Sequence, residues 1–262
     1  MVEDRRFAGL DRLFGMAGAQ KIRQSHVVVV GVGGVGSWAA ESLARSGVGT
    51  LTLIDFDHVA ESNINRQIHA TEASLGQAKV EAMRERIHSF FPLCQVNCVD
   101  EFATPSNWPH ILPVGVDAVI DACDQWHVKT VMANWAIQTR TTFISCGAAG
   151  GKRHAHLANV ADLSAVTHDP LLSKVRYQLR KEFGAPREGK KIGLPCVSSC
   201  EPVAPPHASC SVNNDGSLNC HGFGSLVTVT ATFGQCAAGF VLNQLAATVT
   251  EAKAVSPVET TS

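Results

Sequence analysis

The chain has 262 residues, 45% of them hydrophobic and 17% charged, with 22 Lys+Arg against 23 Asp+Glu and a formal net charge of -1. This composition excludes a disordered or acidic solvating chain and is enough to bury a core, as one large α/β domain or a domain with a smaller appendage. Balanced charge argues against a general nucleic-acid coat and leaves only local basic patches for such a role. Nine cysteines, an odd number, and the absence of an apolar run after Met1 point to a reducing, cytoplasmic setting with most thiols free.

Residues 1–25 are charged and amphipathic, which predicts short helices packed on a larger body or on a second subunit. His26 to Gly31, with four consecutive valines, reads as a buried strand, Ser37 to Ser46 as a helix stopped by Gly47 and Gly49, and Thr50 to Asp55 as the next strand. Strand, helix and strand in about 30 residues form a mononucleotide-binding unit. Beyond it, Gly76 to Phe90 is a helix, Gln95 to Val99 a short strand and Val116 to Asp121 a cleaner one. Gln125 to Thr139 is then helical and Thr141 to Ser145 the following strand.

The alternation predicts an α/β fold: a Rossmann-like, doubly wound, mostly parallel sheet with amino-terminal helices and a loop-rich carboxy-terminal extension. The texture changes after Gly147. Asp169 to Phe183 reads as a basic helix, Gly193 to Ser225 as loop, and Leu226 to Leu245 as a buried helix, with peripheral membrane contact as the weaker alternative. The expected division is 1–25, a helical segment packing on a dimer partner; 26–150, the nucleotide-binding core; 151–250, a substrate-binding extension with a closing helix; and 251–262, a flexible tail.

The chemistry begins at Gly31-Val32-Gly33-Gly34-Val35-Gly36, a glycine loop between a strand and a helix. Gly31 permits the tight turn, Gly33 lets a phosphate approach the backbone, and Gly36 permits close helix–sheet contact. The helix start then offers unpaired N–H groups to an anion. Asp55, 19 residues beyond Gly36, is placed to accept from ribose hydroxyls, which does not separate NAD from ATP.

The next block does separate them. Asp57, Asn63, Asn65, Arg66 and Gln67 follow within twelve residues of Asp55, Lys79 stands on a helix, and Asp121 and Asp124 end a strand in VIDACDQW. A triphosphate needs this charge and a dinucleotide does not. Arg66 and Lys79 are candidates for the β and γ phosphates, and Asp124, with or without Asp121, for Mg²⁺, which prefers hard oxygen ligands. The plainer alternatives are helix capping for the two acids, a surface lysine at 79 and a structural ion pair at Arg66.

GVGGVG, LIDFDHVAESNINRQ, GQAKVEAM and VIDACDQW resemble the adenylating family related to ubiquitin-activating enzymes and to the activators of thiamine and molybdopterin sulfur carriers. RSGVGTLTLIDFDHVAESNINRQIHA, DPLLSKVRYQLRKEFG and FGSLVTVTATFG narrow the resemblance to its tRNA threonylcarbamoyladenosine dehydratase branch. The resemblance implies a homodimer using ATP and Mg²⁺. It assigns ribose binding to Asp55, the triphosphate to Asn65, Arg66 and Lys79, and the metal to Asp124. An amino-terminal arginine that reaches the partner's ATP matches Arg12, with Arg6 the lesser candidate. The implied substrate is tRNA carrying N6-threonylcarbamoyladenosine at position 37. Its threonyl carboxylate is activated by adenylyl or phosphoryl transfer, and the carbamoyl group closes a ring with loss of water. A cysteine-desulfurase and sulfur-acceptor system stays open as a partner.

The rival readings are an activator of a ubiquitin-like carrier protein, an NAD-dependent oxidoreductase and a nucleotide-sensing scaffold. The two CxxC pairs of sulfur-carrier activators are absent. Cys196 and Cys200 are spaced CxxxC, Cys210 and Cys220 lie further on, and His207 and His221 are nearby, so structural Zn is the weaker reading and buried or loop-borne thiols the stronger. For tRNA, Lys174 to Lys191 carries seven Lys/Arg against two Glu, and Lys152 to His156 is a second basic patch, both suited to phosphates. Trp38 and Trp135 are expected to pack on the sheet, and Trp126 is a candidate for lining the nucleotide pocket.

Overall fold

The computed structural model describes residues 5–187, 189–207 and 223–254. Its centre is a seven-stranded sheet: β1 (His26–Val30), β2 (Thr50–Ile54), β3 (Gln95–Val99), β4 (Ala118–Asp121), β5 (Thr142–Cys146), β6 (Ala158–Asp162) and β7 (Pro195–Ser199), in the order β3-β2-β1-β4-β5-β7-β6. The described ladders are parallel except β6 against β7. β1 is flanked by β2 and β4, with Val30 in register with both Ile54 and Asp121. The strand order reverses there, and a ligand crevice opens outside the carboxyl ends of such strands.

The valines of β1 divide between two cores by strand alternation. Val27 and Val29 join the core built with α1 (Ala8–Gln24), α2 (Gly36–Arg45), α3 (Lys79–Phe90) and α6 (Val227–Ala254). Val28 and Val30 join the other, with α4 (Trp126–Thr139) and α5 (Pro170–Glu182). A strand buried on both faces has no polar alternation, hence VVVV.

The short helices expected at the amino terminus are present: α1 is two helical stretches that meet at Gly15, whose φ of 71° and ψ of 162° lie outside any helix. Its second half meets α6, where a Cβ on Gly18 would stand 3.3 Å from that of Ala246. α6 in turn crosses α2 at Gly234, where a Cβ would come within 2.9 Å of the Trp38 Cβ. The last helix therefore braces the one that carries the glycine loop.

Two strands differ from the sequence reading. The stretch 151–250, expected as a loop-rich extension, supplies β6 and β7 to the same sheet, and β7 lies inside the segment read as loop. Pro195 opens β7 where its missing N–H does no harm, and four of its five residues are buried. β6 is a short edge strand with exposed central residues, so it carries no apolar signal. α6 buries one face, from Val229 to Leu245, and runs on to Ala254, and no described helix is long and apolar enough to cross a membrane. Cys210, Cys220, His221 and residues 255–262 lie outside the described residues.

Candidate active site

A cleft of about 460 Å³ opens at the carboxyl ends of β1, β2 and β4, within the usual range for a small-molecule site. One wall is the glycine loop. Gly31 has φ of 86°, and a Cβ there would lie 2.9 Å from the Ala122 carbonyl oxygen, so β1 and β4 approach this closely only through glycine. A Cβ on Gly36 would run into the Gly31 carbonyl. Gly33 differs, with open space where a side chain would stand. The loop is thus tight at Gly31 and Gly36 and open at Gly33, which lines the cleft.

Asp55 follows β2 and holds the loop in place. Its Oδ2 accepts from the Val32 N–H at 2.6 Å, and its Oδ1 from the Asp57 N–H at 2.9 Å. Burial pushes its carboxyl pKa up, opposed by the Lys79 ammonium and by those two N–H donors. Lys79 begins α3. Its Nζ donates to Asp57 Oδ2 at 2.7 Å and its backbone N–H to the Asp57 carbonyl, which leaves the buried ammonium aimed along the cleft wall.

Arg66 lines the cleft opposite Gly34 and donates from Nη1 to the Ser62 carbonyl at 2.7 Å and to Asn65 Oδ1 at 3.0 Å. Asn65 lies beside the cleft rather than in its lining and donates to the Ser225 carbonyl at 3.2 Å. Gln67 lines the cleft and is buried, with Oε1 unpartnered among the described residues. The structure therefore gathers Gly31, Gly33, Gly34, Asp55, Asp57, Arg66, Gln67, Lys79 and Asp124 around one space.

Asp121 is the main departure. It is fully buried, paired with Lys129 Nζ at 2.8 Å, and accepts from Ser145 Oγ at 2.6 Å. The mutual attraction lifts the Lys129 pKa beyond the usual ammonium range against the cost of burial. With its oxygens engaged inside the sheet, Asp121 is a structural acid, and the expectation that it touches nucleotide or metal is corrected. Asp124, three residues on, is exposed and lines the cleft.

Lys152 is a second correction. Expected in a phosphate-neutralising patch, it is 2% exposed and donates to the carbonyls of Glu201 at 2.7 Å and His168 at 3.2 Å. Arg12 stands exposed on α1 and outside its own chain's cleft. Cys196 is buried, and desolvation drives its thiol pKa well above the ordinary value, the opposite of an activated thiolate. Among the described residues no group of His, Cys, Asp and Glu is arranged to hold a metal. Trp38 donates from its indole to the Arg66 carbonyl at 3.0 Å, and Trp135 packs edge-on against Trp108.

Several lining residues carried no signal of their own in the sequence. Phe102 follows β3 and pairs with Phe56 at 5.2 Å. Thr230 and Ser225 arrive from the start of α6, and Ala148 to Gly150 from the loop after β5. That loop is tied to α5 by Asp169, which caps the helix at the Leu172 N–H and accepts from the Ala148 N–H at 2.9 Å. Trp126, singled out as a candidate, does line the cleft, with the Lys174 ammonium 4.1 Å from its ring centroid.

Similar proteins fit this geometry. The tRNA threonylcarbamoyladenosine dehydratase of Haemophilus influenzae is 39% identical over 244 residues, covering 92% of this chain and 94% of that protein. The Escherichia coli protein of the same name is 40% identical over 251 residues, with the same coverage. The crystal structure of the Escherichia coli tRNA N6-threonylcarbamoyladenosine dehydratase in complex with ATP superposes with a TM-score of 0.85 at 38% identity, covering 96% of this chain and 99% of that one. Its complex with AMP gives a TM-score of 0.87. The ThiF family profile matches residues 5–254, and the chain belongs to the ThiF family.

Proposed function

We propose that this protein is an ATP-dependent tRNA threonylcarbamoyladenosine dehydratase that works as a homodimer. The observation that carries the reading is the cleft itself: an open glycine loop, a buried acid and two cations at one sheet end, in a chain 38% identical across 96% of its length to an enzyme crystallised with ATP.

ATP lies with its triphosphate against the loop from Gly31 to Gly36 and its ribose toward Asp55. The N–H groups at the start of α2 meet the phosphates, Arg66 and Lys79 hold the β and γ groups, and Asn65 orients Arg66 through the 3.0 Å contact. Asp124 is the residue that would hold Mg²⁺. It fits because it is an exposed hard-oxygen donor in the cleft, whereas Asp121 is already paired. Bound there, Mg²⁺ supplies charge neutralisation along the triphosphate.

The substrate's threonyl carboxylate is anionic and its oxygen leaves badly. One carboxylate oxygen attacks the α phosphorus, the bond to the β phosphate breaks, and pyrophosphate departs against Arg66 and Lys79. The carbamoyl group of the same nucleoside then attacks the activated carbonyl and loses a proton. AMP leaves with the former carboxylate oxygen, and the product is short of one water. Both partners of the ring closure sit in one molecule, so orientation supplies most of the acceleration. Adenylyl rather than phosphoryl transfer is favoured by the AMP complex of the Escherichia coli enzyme.

Dimerisation is supported by the outer face of α1, where Leu13 and Met16 are exposed beside Arg12. In this reading that face meets the partner, and Arg12 reaches the partner's ATP. The testing experiment is AMP release from ATP. It is expected to require tRNA that carries threonylcarbamoyladenosine; release that requires a carrier protein instead would replace this reading with the carrier-protein activator.

A further inference from the structure

The basic run from 174 to 191 divides once its partners are known. Arg176 is spent on backbone, donating from Nη1 to the carbonyls of Leu163 at 2.9 Å and Val166 at 2.7 Å. Arg180 does the same with Nε and the Pro186 carbonyl at 3.1 Å. These two arginines brace the turns around α5. Lys174, Tyr177 and Lys181 are exposed instead, at positions i, i+3 and i+7, which fall on one face of a helix.

That face begins inside the cleft. Pro170, Leu171 and Lys174 line it, and Lys174 covers the Trp126 ring at 4.1 Å. Tyr177, the only tyrosine of the chain, is 61% exposed one turn further out. Lys181 follows about 10 Å along the axis from Lys174, at 1.5 Å per residue. The result is an alternation of ring, cation, ring and cation that starts at the reaction centre and leads outward. Asp169 fastens the start of α5 to the cleft loop through the Ala148 N–H, so the stripe and the cleft share one frame.

We propose that this stripe conducts the anticodon loop into the cleft. Tyr177 stacks an unpaired base next to the modified adenosine, while Lys174, seated over a Trp126 ring that is itself stacked on His127 at 3.4 Å, and Lys181 meet the phosphates on either side. The proposal rests on the dehydratase reading, which puts the reacting nucleoside in a single-stranded loop. Unpaired bases offer a free π-face and a duplex does not, so interleaved aromatics and cations suit the loop rather than the stem.

The test is fluorescence anisotropy with a labelled anticodon stem-loop RNA, without ATP and without the modification, so that binding is read independently of turnover. The wild-type protein is expected to bind the stem-loop in preference to a blunt duplex of equal length. Tyr177→Ala is expected to weaken binding roughly tenfold and Tyr177→Phe to restore it, because the ring does the stacking. Lys181→Ala is expected to lower the slope of log affinity against log salt by about 0.7 to 0.9, one phosphate contact. Thermal unfolding confirms that each variant is folded. Equal binding of loop and duplex, or wild-type affinity in Tyr177→Ala, would overturn the proposal. Tyr177-dependent binding by a protein that fails to remove water would support the stripe and contradict the dehydratase reading alone.

Discussion

Asp121 and Lys129 form an ion pair of 2.8 Å with both side chains sealed from solvent, joining the end of β4 to the second turn of α4. The pair separates two acids that look equivalent in the sequence. Lys129→Met leaves a buried carboxylate without its cation and is expected to cost about 3 to 5 kcal/mol of stability, read by denaturant unfolding. Asp124→Asn, on an exposed side chain, is expected to keep the wild-type unfolding midpoint while losing ATP-dependent turnover. Equal stability in both variants would contradict the division of labour.

The glycine loop makes an equally sharp contrast. Gly33→Ala meets nothing within 4 Å and is expected to unfold at the wild-type temperature, yet to bind ATP at least about tenfold more weakly, a loss of about 1.4 kcal/mol. Gly36→Ala drives its Cβ into the Gly31 carbonyl and is expected to lose stability as well. Calorimetric titration with ATP, paired with thermal unfolding, separates the two. Undiminished ATP binding in Gly33→Ala would remove the phosphate from this loop.

Lys79 is buried and bonded to Asp57, so its removal touches both chemistry and packing. Lys79→Ala is expected to lower turnover by at least about a hundredfold, in line with loss of one preorganised charge donor. Arg66→Ala is expected to match that loss with a smaller drop in melting temperature, because its backbone partner, the Ser62 carbonyl, is bonded in an exposed setting. Full turnover in both variants at saturating ATP would remove these cations from the reaction.

His69 gives a pH signature. It is buried with neither ring nitrogen partnered among the described residues, and desolvation, reinforced by the Lys79 and Arg86 charges, lowers its pKa to about 4. The unfolded chain takes up this proton near 6.5 and the folded chain does not, so stability falls as pH drops from 6.5 toward 4. His69→Leu is expected to remove about 2 kcal/mol of the loss between pH 7 and 4.5, measured by urea unfolding at each pH. A difference between variant and wild type that stays constant with pH would show that His69 is not kept neutral.

The core of the fold was legible because its signals are local. Four valines, a glycine loop and TLTLID define β1, the turn and β2 within about 30 residues, and the structure sets them as read. β6 and β7 were not legible, since β6 is a polar edge and β7 begins at a proline among glycines, and both depend on pairing with distant strands. Asp121 was misread for a related reason. Its partners, Lys129 and Ser145, lie on other elements, and the one local hint was a lysine set among Val128, Met132 and Ala133 on the buried face of α4. Lys152 repeats the lesson: in sequence it belongs to a basic patch, in the fold it collects carbonyls.

Removal of water from the modified nucleoside is the reaction to measure first. tRNA carrying threonylcarbamoyladenosine is incubated with the protein, ATP and Mg²⁺, digested mildly to spare the strained ring, and its nucleosides weighed by mass spectrometry. A loss equal to one water is expected only with ATP, and none in Arg66→Ala. An unchanged nucleoside mass, with a protein that demonstrably binds ATP, would contradict the dehydratase reading.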